Sequence, residues 1–245
     1  MSNKIYLFNN IHDLANHLAE DFKSAVDLKA DAGGVLTVAL SGGHTPKAFF
    51  EVLSKPPYKE TINWENVVLF WGDERCVPPD DDQSNFKMTE LSLLANVEIP
   101  ASNIHRVLGE EPPEEEAVRY EAEIKDIIPS GEHGFPEFDW IFLGMGADGH
   151  TASLFPGAAT LQVKDKICVV AEHPETGQKR ISVTLPVLNN AARVSFLIVG
   201  EEKAPVLKEI LECKPQNLSY PASMVHPAHG VLEWYLDRAA AGDSV

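Results

Sequence analysis

Cysteine is scarce in this chain. Cys76, Cys168 and Cys213 are odd in number and far apart, with no CxxC pair and no Cys/His cluster at zinc spacing. That argues against a disulfide framework and against a structural metal site. Long apolar runs are missing too. No stretch approaches the ~18 residues that span a bilayer, and the opening MSNKIYLFNN lacks the basic and apolar segments of a signal peptide. Positive charge is also in short supply: 20 Lys and Arg stand against 37 Asp and Glu, a formal net charge of -17. A nucleic-acid binder displaces counterions with a cationic surface, and no Lys/Arg cluster is present to do so. A polybasic membrane anchor fails on the same ground. Repeats and low-complexity blocks are absent. With 245 residues and 44% hydrophobic content there is enough material for a full core. The expectation is one domain over residues 1–245, cytoplasmic, with neither a nucleic acid nor a membrane as partner. The acidic surplus has one consequence for function. An anionic ligand would need a few cations gathered in one place against an adverse overall field.

What is present is a rhythm of short apolar runs and amphipathic stretches. Ile5–Phe8, Val35–Leu40, Val67–Trp71, Ile104–Val107, Phe138–Leu143, Ile167–Ala171, Ile181–Leu185 and Val194–Val199 read as strands. His12–Ala30, Lys47–Leu53, Asn85–Leu94, Glu114–Ile127 and Ala204–Leu211 read as helices, and Val231–Ala241 as a closing helix. Thr45 followed by Pro46 looks like an N-cap and a first-turn proline. Strands alternating with helices predict a mostly parallel sheet covered on both faces. In such folds ligands bind beyond the carboxyl ends of the strands.

Four strand ends carry polar or glycine-rich sequence. Ser41-Gly42-Gly43-His44-Thr45-Pro46 is a phosphate cradle at a helix N-terminus or an ordinary tight turn. It lacks the Gly-Lys-Ser/Thr of a nucleotide-hydrolysing loop. Gly72-Asp73-Glu74-Arg75 puts three charges after a buried strand. Arg75 has the fork that grips phosphate or carboxylate, and Asp73 and Glu74 are placed to position it or to bind hydroxyls. The bland alternative is a solvated loop. Gly200-Glu201-Glu202-Lys203 sets a lysine at a helix start, where it opposes the helix dipole unless an anion joins it; the bland alternative, favoured by spacing alone, is a flexible surface lysine.

The remaining loop, Gly144–Gly157 (GMGADGHTASLFPG), contains the spacing G-x-G-x-x-G through Gly144, Gly146 and Gly149. A dinucleotide fingerprint needs a sustained helix after the third glycine, and Pro156-Gly157 would end any helix after about one turn. The reading preferred is an active-site loop presenting Asp148 and His150. An aspartate beside a histidine fixes the imidazole tautomer, and a neutral imidazole suits proton abstraction from water near pH 7. Of nine histidines, His12, His17, His105, His133 and His173 lack such a setting, and His44, His226 and His229 are left without a role. Ser153 lies near His150, but no G-x-S-x-G elbow surrounds it, which disfavours a serine hydrolase.

LSGGHTPKAFFEVL (Leu40–Leu53), WGDERCVPPDDDQSN (Trp71–Asn85), LGMGADGHTASLFPG (Leu143–Gly157), RISVTLPVLNNA (Arg180–Ala191), VGEEKA (Val199–Ala204) and PASMVHPAHGVLEWYLDRAAA (Pro221–Ala241) occur in this order. Together they resemble the 6-phosphogluconolactonase family. The resemblance implies a Rossmann-like three-layer α/β/α sandwich with a mostly parallel sheet, similar to glucosamine-6-phosphate deaminase. It implies hydrolysis of 6-phospho-D-glucono-1,5-lactone to 6-phospho-D-gluconate, in the oxidative branch of the pentose phosphate pathway, without metal or cofactor. The partner it implies is a small sugar-phosphate lactone, and the state expected is a monomer or weak dimer. By the same resemblance His150 matches the general base, and Asp148 a nearby acidic position. Ser41, Gly42, Gly43 and Thr45 match the sugar-phosphate loop; Arg75, Arg180 and Lys203 match basic residues at the phosphate end. Asp73 and Gly146 complete the substrate-binding expectation. The alternatives are an amino-sugar phosphate deaminase or isomerase, and a non-catalytic sugar-phosphate sensor. The deaminases that resemble this fold carry a Glu shortly after the loop histidine, whereas Thr151–Gly157 holds no carboxylate. A sensor would usually add a DNA-binding segment, for which this chain has neither the length nor the charge.

Overall fold

The computed structural model describes residues 3–131, 134–212 and 219–242; Cys213 and His133 lie outside them. In chain order the elements begin β1 (Asn3–Phe8), α1 (Ile11–Asp31), β2 (Leu36–Leu40), α2 (His44–Leu53), α3 (Tyr58–Thr61) and β3 (Val67–Trp71). Next come β4 (Asp73–Arg75), α4 (Asn85–Ser92), β5 (Ile104–His105), α5 (Pro113–Ile127) and β6 (Trp140–Leu143). The chain continues with β7 (Cys168–Glu172), β8 (Lys179–Val183), α6 (Leu185–Leu188), β9 (Arg193–Ile198), α7 (Ala204–Glu212), β10 (Val231–Asp237) and α8 (Arg238–Ala241).

Seven strands form one sheet in the order β1-β10-β9-β6-β2-β3-β5, and every pairing in it is parallel. Parallel strands need both faces covered, which is why β2 and β3 are buried along their whole length. Alternation sorts their side chains. Trp140 and Phe142 point to the face where Phe22 of α1 and Phe49 of α2 pack, and Trp71 meets Phe86 of α4 there. Phe70 points the other way, against Tyr120 of α5 and Phe138. Helices on both sides of a parallel sheet are the layering expected.

Four details differ from expectation. Val231–Asp237 is a strand, not a helix, and only Arg238–Ala241 is helical. Leu232, Trp234 and Leu236 alternate with Glu233 and Tyr235 as a strand requires. The charged Glu233 hid that pattern; it is buried and paired with Arg193 at 2.6 Å. Thr45 does not cap α2. The N-cap is Gly43, at φ 107°, a backbone region that favours glycine. Ile104–Val107 pairs only over two residues, and the hydroxyl of Tyr120 completes the edge beyond them, accepting from the Trp71 N–H at 2.8 Å and donating to the Trp71 carbonyl at 2.9 Å. Lastly, Ile167–Ala171 and Ile181–Leu185 do supply strands, but β7 and β8 join β4 in a separate antiparallel sheet ordered β4-β8-β7.

Candidate active site

The four polar loops follow β2, β3, β6 and β9, and these strands are consecutive in the sheet, as β9-β6-β2-β3. Parallel strands place all their carboxyl ends on one edge, so loops far apart in sequence converge. A cleft of about 230 Å³ lies there, lined among others by Ser41, Gly42, Gly43, Asp73, Arg75, Gly146, His150, Arg180 and Lys203. A second hollow of about 290 Å³ adjoins it past Gly43, with Thr45, Glu202 and Lys203 in its wall. A larger hollow, about 590 Å³, lies between α5 and β7 but carries neither histidine nor arginine in its lining.

The loop after β6 is bent into a tight hook. Gly146 N–H donates to the His150 carbonyl at 2.9 Å, and Gly149 N–H to the Gly146 carbonyl at 3.0 Å. Gly149 adopts φ 78°, and any Cβ there would lie 2.5 Å from the Tyr220 ring. The Ala222 N–H also holds the Gly149 carbonyl, at 3.0 Å. Thr151 donates through Oγ1 to the Gly144 carbonyl at 2.8 Å and bridges to Leu154. No helix follows Gly149 in this loop, so the pyrophosphate-binding alternative lacks its essential part. On this hook His150 Nδ1 lies 2.6 Å from Asp148 Oδ1, which also accepts the His150 N–H at 3.2 Å. Burial pushes the Asp148 carboxyl up, but the His150 N–H and imidazole outweigh it and hold the group below its usual range. With Nδ1–H donated to the carboxylate, Nε2 keeps its lone pair for a proton. The pair folds over Gly146, where a Cβ would overlap both His150 Nδ1 and Asp148 Oδ1. The ring of Phe155 backs His150 at 4.9 Å and Arg180 at 5.7 Å.

Across the cleft, β4 pairs with β8 so that Arg75 stands directly opposite Arg180. The Nε atoms of both are buried and, among the described residues, without a partner. Arg75 donates to the Gln83 carbonyl at 2.6 Å, while among the described residues Arg180 reaches only the Ser153 hydroxyl, at 3.4 Å. Burial, and next the Arg75 charge, push the Arg180 pKa down from its usual value. A guanidinium stays charged regardless, so the shift reports a cation that an anion would relieve. Lys203 comes from a 3₁₀ turn at the head of α7, its Nζ 3.9 Å from Glu202. The first turn of α2 has no side-chain cap, leaving N–H groups free to meet an anion. Asp73 is buried and accepts from Ser153 Oγ at 2.7 Å. The serine is thus a fixed donor, fully buried, rather than a nucleophile. Among the described residues no group of three or more His, Cys, Asp or Glu could hold a metal ion.

A family model described as Glucosamine-6-phosphate isomerases/6-phosphogluconolactonase matches residues 9–234. The chain belongs to this family. It is 44% identical over 226 residues to the 6-phosphogluconolactonase of Haemophilus influenzae, covering 92% of this chain and 95% of that one. The solved 6-phosphogluconolactonase of Trypanosoma brucei superposes with a TM-score of 0.88 at 25% identity, over 100% of this chain and 99% of that one. A monomeric glucosamine-6-phosphate deaminase shares the fold, with a TM-score of 0.81 at 20% identity over 97% and 98% of the two chains.

In this member of the family, the expected residues converge with two qualifications. Asp148 lies behind His150 rather than in the cleft wall, and Thr45 lines the adjoining hollow. Glu74 does not face a ligand. Its carboxylate is consumed by the backbone N–H groups of Arg75, Asn85 and Phe86, at 2.7–2.8 Å, and by the Ser84 hydroxyl at 3.1 Å. Burial pushes its carboxyl above the usual range in spite of these donors. His105 is paired after all, with Glu123 at 2.8 Å, a contact across 18 positions that local reading does not see. Asn85, Phe155 and Tyr220 also belong to the site or its support, and nothing local in the sequence marks them. Only the fold brings Tyr220 beside Gly149.

Proposed function

We propose that this chain hydrolyses 6-phospho-D-glucono-1,5-lactone to 6-phospho-D-gluconate, with His150 as the general base. The observation that carries the reading is the His150–Asp148 pair, at 2.6 Å, on the rim of a cleft whose other side is cationic. The identity of the relatives supports the substrate. A phosphate dianion would be held by Arg75, Arg180 and Lys203, with the N–H groups of the Ser41–Thr45 loop. The lactone carbonyl would then face the imidazole.

A lactone is an activated ester, so no covalent nucleophile is required. Nε2 of His150 takes a proton as water attacks C1, and Asp148 stabilises the imidazolium that forms. The tetrahedral oxyanion is met by loop N–H groups or a cation. Its collapse breaks the bond from C1 to the ring oxygen, which takes the proton back from the imidazolium. The product is a carboxylic acid that ionises at neutral pH, and the enzyme is restored. Asp73, pinned by Ser153, is positioned to accept a substrate hydroxyl.

The decisive test is His150→Ala, assayed on freshly generated lactone coupled to 6-phosphogluconate dehydrogenase and NADP, against a no-enzyme control for spontaneous hydrolysis. Lactone turnover should fall by about 10²–10⁴-fold while 6-phosphogluconate still binds. Full activity in the variant would remove His150 from the role.

A further inference from the structure

Asn85 stands in the cleft wall with no part in the hydrolysis just described. It is the first residue of α4, buried, and its backbone N–H is tied to Glu74 Oε1 at 2.8 Å. Its amide nitrogen donates to the Asp73 carbonyl at 2.9 Å. A carbonyl can only accept, so this contact fixes which way the amide faces. Oδ1 is therefore the atom turned toward Gly42. A Cβ on Gly42 would overlap Oδ1 and lie 2.9 Å from Nδ2, so the glycine there leaves room for the amide. Among the described residues, Oδ1 receives no hydrogen bond. A rigid acceptor is thus presented between the Ser41–Gly43 loop and Asp73, in a cleft that also holds Ser41, His150 and the cations Arg75, Arg180 and Lys203.

An acceptor cannot bind a phosphate dianion, which has no proton to give and whose charge it would repel. It suits a hydroxyl. We propose that Asn85 is a substrate-binding residue whose Oδ1 accepts a hydrogen bond from one ring hydroxyl of the lactone. This rests on the lactonase reading of the cleft. The contact separates two ends of the substrate by chemistry: cations take the phosphate, the amide takes the polyol, and the ring is held in register with His150. A deoxy sugar would leave a buried acceptor unpaired, a cost that does not arise for the full substrate.

The test compares kcat/KM of the wild type and Asn85→Ala on the phosphorylated lactone and on its 2-, 3- and 4-deoxy analogues. The wild type should lose roughly 10- to 100-fold on one analogue. Asn85→Ala should lose a similar factor on the parent and then barely distinguish the parent from that analogue. Equal losses on all four substrates would overturn the proposal and leave Asn85 a strut. Gly42→Ala, whose methyl displaces Oδ1, serves as an independent variant should Asn85→Ala fail to fold; it should erase the same preference, and keeping it in full would overturn the proposal. A wild type indifferent to every deoxy change would overturn it as well. A wild type inactive on the parent lactone would instead refute the lactonase reading.

Discussion

Replacing Gly146 by alanine should disable catalysis while leaving the phosphate end of the cleft in place. The added Cβ would overlap His150 Nδ1 and Cε1 and Asp148 Oδ1, each nearer than the 3.0 Å that real Cβ atoms essentially never breach. Ordinary contact begins near 3.4 Å, so the imidazole and the carboxylate must each retreat by on the order of 1 Å. They cannot move together, because the His150 carbonyl is tied to the Gly146 N–H and the ring is backed by Phe155. A misplacement of about 1 Å in a reacting group costs on the order of 10²-fold, and losing the base altogether costs about 10²–10⁴-fold. The expected fall in kcat is therefore about 10²–10³-fold, roughly 3–4 kcal/mol of transition-state stabilisation. KM should change little, since Arg75, Arg180 and Lys203 are not displaced. The coupled dehydrogenase assay reads both constants. A double variant sharpens the test: once His150→Ala has removed the imidazole, Gly146→Ala should cost almost nothing more, because both act through the same group. A Gly146→Ala enzyme with near-normal kcat, or a double variant showing fully additive losses, would refute the argument.

Two further outcomes follow from the same geometry. Arg180→Ala should raise KM for the phosphorylated lactone by roughly 10- to 100-fold, the worth of a charged hydrogen bond, with a much smaller effect on unphosphorylated gluconolactone; equal effects on both would take Arg180 out of the phosphate site. The Asp148 carboxyl is held below its usual range, so its contribution to stability is present above the unfolded value of about pH 4 and fades as pH falls through the lower folded value. The melting temperatures of wild type and Asp148→Asn should therefore differ above about pH 4 and converge as the pH falls below it; a gap that persists undiminished in that stronger acid would contradict the assigned direction.

Much of the site was legible because its chemistry is local. Ser41–Thr45, Gly72–Arg75, Gly144–Thr151 and Gly200–Lys203 each sit on a strand end, and a parallel sheet brings strand ends to one edge without further information. Asp148 and His150 are two residues apart, so their pairing needs only the turn that Gly146 and Gly149 permit. The strands of the main sheet were legible for the same reason, as short apolar runs covered on both faces. Where a strand carries a buried charge the pattern fails: Val231–Asp237 reads as a helix because Glu233 finds its partner on a neighbouring strand.

What only the tertiary structure decided is everything that depends on which distant residues meet. The antiparallel pairing of β4 with β8 sets Arg75 against Arg180, more than a hundred positions apart, and turns two isolated cations into one anion-seeking pair. The same fold assigns Glu74 to the helix terminus of α4 rather than to a ligand, and puts Tyr220 against Gly149. It also turns Asn85, by sequence merely the start of a helix, into an acceptor beside Gly42. Glycine-rich loops and charged residue types are encoded locally, so the sequence by itself specified the polar strand-end loops and the Asp148–His150 pair proposed as the base. Long-range pairing is set by the packing of the whole core, so which cations and acceptors share the cleft was decided only there.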